Sequence, residues 1–268
     1  MNSAINIMNR GRRVDLILLI FWPIIAAAIS LSIKAGTFSS IILFLGVPAA
    51  YLSYLNPKKI LKLFLFSLVL GVPLAIVIDY VMQRTGGWFL SSSVFGQFRF
   101  LGYVTIEQIV WLFLYIYFVT IFYETFIEKN QVEKAYYHNF KYLITLMIFI
   151  YGLFGFFYFL APTFLLINYF YLKLGLVLGL LPITLVLRKA PKLCQKFFQT
   201  AIYFFFLSLI YELTALSLGQ WTFPAENQFI GFLEIFGLRL PFEEFFFWIM
   251  TGGMAVLSYY EFFDDDLK

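Results

Sequence analysis

The sequence predicts an all-α protein, a polytopic membrane bundle of about eight transmembrane helices built from two tandem parallel repeats. Composition, the spacing of apolar segments and an internal repetition support this prediction. Of the 268 residues, 62% are hydrophobic, 22% aromatic and 13% charged, whereas soluble domains carry about a quarter charged residues. This composition excludes a soluble globular protein, a disordered chain and a nucleic-acid-binding protein.

Apolar segments of spanning length recur along the whole chain. A helix needs roughly 20 apolar residues to cross the hydrocarbon core. The segment after Arg12 and Arg13 resembles a signal peptide with a cleavage-like Ala26–Ala28, but its apolar run continues to Ile33, so we expect it to be retained as a helix. The eight predicted spans are 14–34, 37–55, 60–82, 101–127, 141–161, 165–187, 194–218 and 239–262.

The basic residues predict the orientation of these spans. Fourteen of the 19 lysines and arginines fall on the side of both chain termini. The five on the other side are Lys34, Arg84, Arg99, Lys173 and Arg239. By the positive-inside rule, we expect both termini in the cytoplasm and a multi-pass protein of the cell membrane. His138 lies in a polar connection on the same side, where we expect it to be solvated.

Several kinds of site are excluded by residue counts. The single cysteine, Cys194, excludes a disulfide framework and a cysteine-based metal cluster, and the single histidine excludes a multi-histidine metal site. No glycine-rich phosphate loop follows a predicted strand. We therefore expect no metal and no cofactor.

Two halves of the chain repeat one another. Paired prolines and acid–tryptophan pairs, each nine residues apart, occur in both halves. An even number of helices in each half gives parallel repeats, related by an axis along the membrane normal. We predict a first repeat over 1–133 and a second over 134–268. The matched pairs are Pro48 with Pro182, Pro57 with Pro191, Asp79 with Glu212, Trp88 with Trp221, and Glu107 with Glu243, at offsets of 133 to 136 residues.

Five acidic residues occupy positions where acids are costly. Asp79, Glu107, Glu212, Glu243 and Glu244 fall within or at the mouths of the apolar segments. An ionised carboxylate inside the membrane costs about 2.5–3.5 kcal/mol on insertion scales. Hydrogen bonds between helices would be a structural explanation for such residues. Because the five lie in the same half of the membrane, we expect them to converge on one cavity.

The densest cluster of these acids is the segment Leu240–Trp248. Pro241 suits the first turn of a helix, where no N–H is needed, and the helix dipole favours Glu243 and Glu244 in that turn. Neighbouring residues on a helix point about 100° apart, since 3.6 residues make one turn. We therefore expect one of the two carboxyls to act and the other to orient it.

Aromatic residues surround the predicted acids. A ring face stabilises a cation by up to about 2 kcal/mol when water is absent. Interfacial belt tryptophans and lipid-facing phenylalanines are the alternative interpretation. An acid beside rings inside lipid suits protonation of an alkene and protection of the carbocation. The residues expected to bind the substrate or its cation are Asp79, Glu212, Trp88, Trp221, Pro241, Phe245 and Gln108.

The motif of the second half resembles the lycopene cyclase domain, the integral-membrane type found in bacteria, archaea and fungi. The resemblance rests on the turn Trp221 to Pro224, on Gly231, and on Leu240 to Glu244 followed by three phenylalanines. The first half is similar in weakened form, with Gly86 to Phe89 and Thr105 to Gln108 at the matching places. Together the two copies cover nearly the whole chain.

The resemblance implies a reaction without net redox change. An acid protonates a terminal double bond of lycopene, the internal alkene closes a six-membered ring, and a base removes a proton to leave a β-ionone end. It implies Glu243 as the leading acid, Glu244 beside it, and Glu107 as the counterpart in the first half. Thr105 and Gln108 depart from the motif, so the first half either shapes the cavity or limits the enzyme to one ring. It also implies a hydrophobic carotenoid or isoprenoid substrate taken from the bilayer as the partner. The soluble type of lycopene cyclase is a flavoprotein with a dinucleotide-binding loop, and because this sequence has no such loop we expect no bound flavin.

Two other functions remain open from the sequence. One is another carotenoid- or isoprenoid-modifying enzyme on the same scaffold, a hydratase or an isomerase. The other is a non-enzymatic membrane protein that binds pigment or transports a substrate. A dry aromatic pocket favours cyclisation and a water-lined one favours hydration, whereas a transporter needs polar lining through the full depth.

Overall fold

The fold was analysed on a computed structural model that describes residues 10–128 and 139–263. The predicted all-α polytopic bundle is confirmed. Within the described residues, seven helices are long and apolar enough to cross a membrane, as expected of an integral membrane protein. His138 and the three acids Asp264–Asp266 lie outside the described residues.

The helices follow the apolar segments of the sequence. Two of them begin later than predicted, because positive φ angles at Leu101 and Gly102 turn the chain before the fourth helix, and Tyr169 does the same before the sixth. The seven are α1 Arg10–Ser32, α2 Thr37–Leu55, α3 Pro57–Thr85, α4 Ile106–Ile127, α5 Phe140–Leu160, α6 Phe170–Lys189 and α7 Pro191–Ser217.

Central and peripheral helices differ in burial. In the most apolar stretch of α4, 61% of the residues are buried, and in α7 56%, against 17% in α5. Helices α3 and α4 pack closely, because the glycine at Gly71 lets its backbone approach the Phe113 backbone; a Cβ there would lie 3.2 Å from the Phe113 Cα. The core therefore lies around α3, α4 and α7, and the outer helices present apolar side chains to lipid.

Short strands join the two halves at one end of the bundle. Strand β1 (Phe89–Leu90) pairs antiparallel with β2 (Trp221–Thr222). Phe89 lies opposite Thr222, and these two residues occupy matching places in the predicted repeats. We call this side, with the connections 86–105 and 218–243, the loop end. The opposite side, with 57–62, 124–128, 189–196 and 260–263, is the basic end.

The eighth predicted span differs from the expectation. Strands β3 (Phe232–Ile235) and β4 (Leu238–Pro241) form a hairpin in which Phe236 and Gly237 both have positive φ, at 54° and 77°. A two-residue loop of this kind suits the twist of antiparallel strands. Pro241 is therefore the last residue of a strand and not part of the first helical turn.

The last helix, α8, begins after this hairpin. It consists of a π-helical segment, Glu244–Met250, a break at Thr251, and the α-helix Gly252–Phe263. Helices α2 and α6 also contain π-helical segments, Ile42–Gly46 and Gly175–Leu180, each followed by a proline at the second α-helical position. This shared construction supports the predicted duplication.

Candidate active site

A cavity of about 200 Å³ lies between α3, α4, α6, α7 and α8. It is lined by residues of both predicted repeats. Among the predicted site residues, those on its wall are Asp79, Trp88, Gln108, Glu212, Trp221 and Glu244. Those that the structure does not place on its wall are Glu107, Pro241, Glu243 and Phe245.

The polar groups of the cavity lie at its loop end. On four of the helices the lining residue nearest that end is polar: Asp79 on α3, Gln108 on α4, Tyr171 on α6 and Glu244 on α8. Deeper positions on α3 and α4 are almost all apolar or aromatic. At 1.5 Å per residue, the lining of α4 from Gln108 to Ile116 extends roughly 12 Å. The cavity is thus a lengthwise slot with a polar end and an apolar remainder.

Asp79 is fully hydrogen-bonded. Its Oδ1 accepts a hydrogen bond from the Trp88 indole at 2.8 Å, and its Oδ2 accepts one from the Thr105 backbone N–H at 2.9 Å. The Gln83 amide donates to both oxygens. A carboxyl group that only accepts hydrogen bonds is held as the carboxylate. The four donated hydrogen bonds thus favour the carboxylate form of Asp79.

Glu212 occupies the matching place on α7 with fewer partners. Its Oε1 accepts a hydrogen bond from the Trp221 indole at 2.9 Å, just as Trp88 donates to Asp79. Its Oε2 is buried and accepts no hydrogen bond from any described residue. The residue that matches Thr105 is Pro241, which has no N–H to donate. The proline of the motif thus leaves one oxygen of Glu212 without its donor.

Glu244 faces Glu212 across the polar end of the cavity. The two carboxyls lie close enough to repel each other when both are ionised. The Tyr171 side chain lies near Glu244 on the cavity wall. Glu244 Oε2 has no hydrogen-bond partner in the described part of the chain, and no lysine or arginine is found among the described lining residues. Two buried carboxyls without a counter-cation are most stable when they share a proton.

Glu107 and Glu243 anchor the loops that precede α4 and α8. Glu107 accepts hydrogen bonds from the Val94 N–H at 2.8 Å and the Ser93 hydroxyl at 3.0 Å. Glu243 accepts one from the Ile230 N–H at 2.8 Å, at the same separation of 13 residues. Both side chains are fully buried. These contacts hold both side chains at the loop end, and Glu243 Oε2 is buried without a hydrogen-bond partner in the described residues. Of the three predicted catalytic acids, the cavity wall contains Glu244.

Phe245 and Pro241 also lie away from the cavity. Phe245 packs edge-on against Phe205 on α7, with ring centroids 6.1 Å apart. Pro241 pairs with Phe232 in the hairpin. Within the segment Leu240–Trp248, the residues that line the described cavity wall are Glu244, Phe247 and Trp248.

Aromatic residues that the sequence analysis did not single out form much of the wall. Trp248 lies 4.5 Å from Trp111 and 4.2 Å from Tyr115 between ring centroids. Tyr171 meets the Trp88 ring edge-on at 5.6 Å. The helical period contains the signal for them, since Trp111 and Tyr115 follow Gln108 by three and seven residues on one face of α4.

Comparisons with known proteins do not assign this chain to a family. The chain matches no protein-family model, no curated protein and no solved structure. The likeness to the lycopene cyclase domain therefore rests on the motif residues alone. In the described residues, no group of three or more His, Cys, Asp or Glu side chains is arranged to hold a metal ion.

Proposed function

We propose that this protein is a membrane carotenoid cyclase that closes a β-ionone ring on an acyclic lycopene end by acid catalysis. The observation that carries the proposal is the pair Glu212 and Glu244 at the polar end of an aromatic cavity. Each is a buried carboxyl with one oxygen that has no hydrogen-bond partner among the described residues. The motif resemblance supports the same reaction class.

Glu244 is the proton donor in this proposal. Two close buried acids favour the state with one proton between them, in which one carboxyl is neutral and the other ionised. A positioned acid contributes about 100- to 10,000-fold to a rate. The proton goes to the terminal double bond of the substrate, and a tertiary carbocation forms. The internal alkene then attacks this cation, the new carbon–carbon bond closes a six-membered ring, and the positive charge moves onto the ring.

Glu212 is the base that ends the reaction. It removes a ring proton, and the electron pair of that C–H bond becomes the ring double bond. Substrate and product are isomers, so no oxidant, reductant or water is consumed. The proton then returns from Glu212 to Glu244, which lines the same cavity, and the pair is ready for the next turnover.

The remaining wall stabilises the cation. The Asp79 carboxylate supplies negative charge, and the indole rings of Trp88, Trp111, Trp221 and Trp248 present π-electrons. A desolvated cation gains up to about 2 kcal/mol over such a ring. Exclusion of water protects the cation from capture as an alcohol. A hydratase would require the opposite, an ordered water beside the cation.

Expression in a lycopene-producing host tests the proposal, with pigments separated by chromatography and identified by mass. We expect conversion to a cyclic isomer of unchanged mass. We expect the rate of this conversion to fall about 100-fold or more in E244Q. The matched variant at the adjacent residue, E243Q, should still convert lycopene, because its amide oxygen can accept the hydrogen bond from the Ile230 N–H. Unchanged lycopene in a membrane fraction rich in wild-type protein would refute the proposal. A product that has gained one water would favour a hydratase.

We propose that the basic end faces the cytoplasm of a cell whose membrane this protein spans. The described basic residues near that end outnumber those at the loop end, as the positive-inside rule requires. The cavity's polar end then lies in the outer half of the membrane. An apolar substrate dissolved in the bilayer reaches the cavity without crossing water.

A further inference from the structure

Helices α2 and α6 occupy matching places in the two halves but differ at two positions. At the offset of 134 residues set by their prolines, Gly175 and Gly179 of α6 correspond to Ile41 and Leu45 of α2. Glycine is a poor residue for a helix interior, because it loses more backbone freedom there than alanine does. Two glycines four residues apart on one helical face therefore call for a structural reason.

The first half is packed at this place. Ile41 is 1% exposed and Leu45 is fully buried. Between them Phe44 stacks on Tyr211, with ring centroids 4.6 Å apart and planes 17° apart. In the first half, side chains thus fill the place that corresponds to the α6 wall of the cavity in the second half.

The second half is open at this place. Gly175 and Gly179 both line the cavity. A Cβ on Gly175 would lie 2.2 Å from Cγ of Phe247, so this ring lies directly against the helix backbone. Gly179 is buried, yet a Cβ there would meet no atom of the described residues within 4 Å. The α6 backbone at Gly179 therefore borders the empty slot.

The depth of Gly179 separates it from the reacting groups. It lies eight residues beyond Tyr171 along α6, which is roughly 12 Å at the helical rise. In the proposed reaction the carboxyls contact the end group that reacts. Gly179 borders the part of the slot that holds the apolar chain behind that end group.

We infer that Gly179 is a specificity-determining residue that sets how long an apolar chain the slot admits behind the reacting end. This inference rests on the proposed function for the identity of that chain, a methyl-branched polyene. A larger side chain at position 179 narrows the slot and excludes a long substrate. A short substrate that ends before this depth binds as before.

Binding is tested on the purified full chain with two probes, lycopene and a shortened apocarotenoid that keeps one acyclic end group. Four of the five tryptophans, Trp88, Trp111, Trp221 and Trp248, line the cavity, so quenching of their fluorescence reports binding. For G179L we expect an affinity for lycopene about tenfold weaker, or more, and an affinity for the short probe within about threefold of wild type. If G179L does not fold, G179A and G179V replace it, and we expect them to show smaller losses of affinity for lycopene.

The matched control is G152L on α5. Gly152 is exposed and its Cβ would likewise meet no described atom within 4 Å, so this leucine enlarges the surface and leaves the slot unchanged. Wild-type affinity of the G179 variants for lycopene, or equal losses for both probes, would overturn the inference. The variant E244Q separates this inference from the proposed function. Cyclisation by E244Q would refute the role of Glu244 as proton donor, whereas the binding comparison with G179L would still test whether position 179 limits the length of the bound chain. Absence of binding of either probe to the wild type would refute both.

Discussion

The Tyr123 hydroxyl donates a hydrogen bond to the Glu261 carboxyl, and the neighbouring residues make the same contact in reverse, from Tyr260 to Glu124. The two tyrosine rings meet edge-on with centroids 6.2 Å apart. Reciprocal contacts of this kind are the signature of two similar units around a two-fold axis. Like the pairing of Phe89 with Thr222 at the loop end, they link the two predicted repeats, whose duplication stays a prediction.

Removal of either tyrosine hydroxyl at this contact is expected to weaken the bundle. Glu124 also binds Lys59 and is held as a carboxylate, and hydrogen bonds to charged groups contribute about 1.5–3 kcal/mol. Y123F and Y260F should each lower the free energy of unfolding by about that amount. The measurement is denaturation of the purified protein in detergent.

Y54F is the control for these two variants, because Tyr54 is 83% exposed. Its stability should equal that of the wild type. The contact lies at the basic end, so cyclisation per folded molecule should be unchanged in Y123F and Y260F. Full stability in both variants would show that the reciprocal bonds do not join the halves.

The hydrogen bond from the Trp88 indole to Asp79 and the one from the Trp221 indole to Glu212 should differ in their effect on activity. Asp79 keeps the donors Gln83 and Thr105 when Trp88 is changed, whereas Trp221 is the one donor that the described residues provide to Glu212. W221F leaves a ring in place but frees Glu212, so we expect the cyclisation rate to fall about tenfold, as the loss of about 1.4 kcal/mol of positioning implies.

W88F is the matched variant, since it removes the equivalent bond in the other half. We expect it to retain most of the wild-type rate, measured on the same preparations with lycopene in liposomes. An equal loss in W88F and W221F would show that the indole bonds serve the scaffold in both halves alike.

The missing N–H at Pro241 yields a further test. Thr105 donates its N–H to Asp79 at the matching position, so P241A should supply a donor to the free oxygen of Glu212. A base that accepts this additional bond is weaker, and the cyclisation rate should fall about tenfold. The lost proline constraint and the gained bond nearly offset each other, so stability should change by less than about 1 kcal/mol. A wild-type rate in a folded P241A protein would contradict this role for the proline.

The sequence predicted the helices and the buried acids well, because both depend on hydropathy along the chain. It did not separate Glu243 from Glu244, because the π-helical segment that begins at Glu244 sets which residue faces the cavity. Nor did it predict the strand at Pro241, which depends on the turn at Phe236 and Gly237. Rotation of a helix about its axis is fixed by packing against its neighbours, and a single sequence does not contain that information.

The orientation in the membrane is testable through the natural cysteine. Cys194 is exposed in the first turn of α7 at the basic end, and it is the single cysteine of the chain. A maleimide that cannot cross membranes should label it in lysed cells and not in intact ones. The reporter for the loop end is F236C in a C194S background, because Phe236 is 92% exposed at the hairpin turn. This variant should be labelled in intact cells. The reverse pattern would place the termini outside, and the polar end of the cavity would then lie in the inner half of the bilayer.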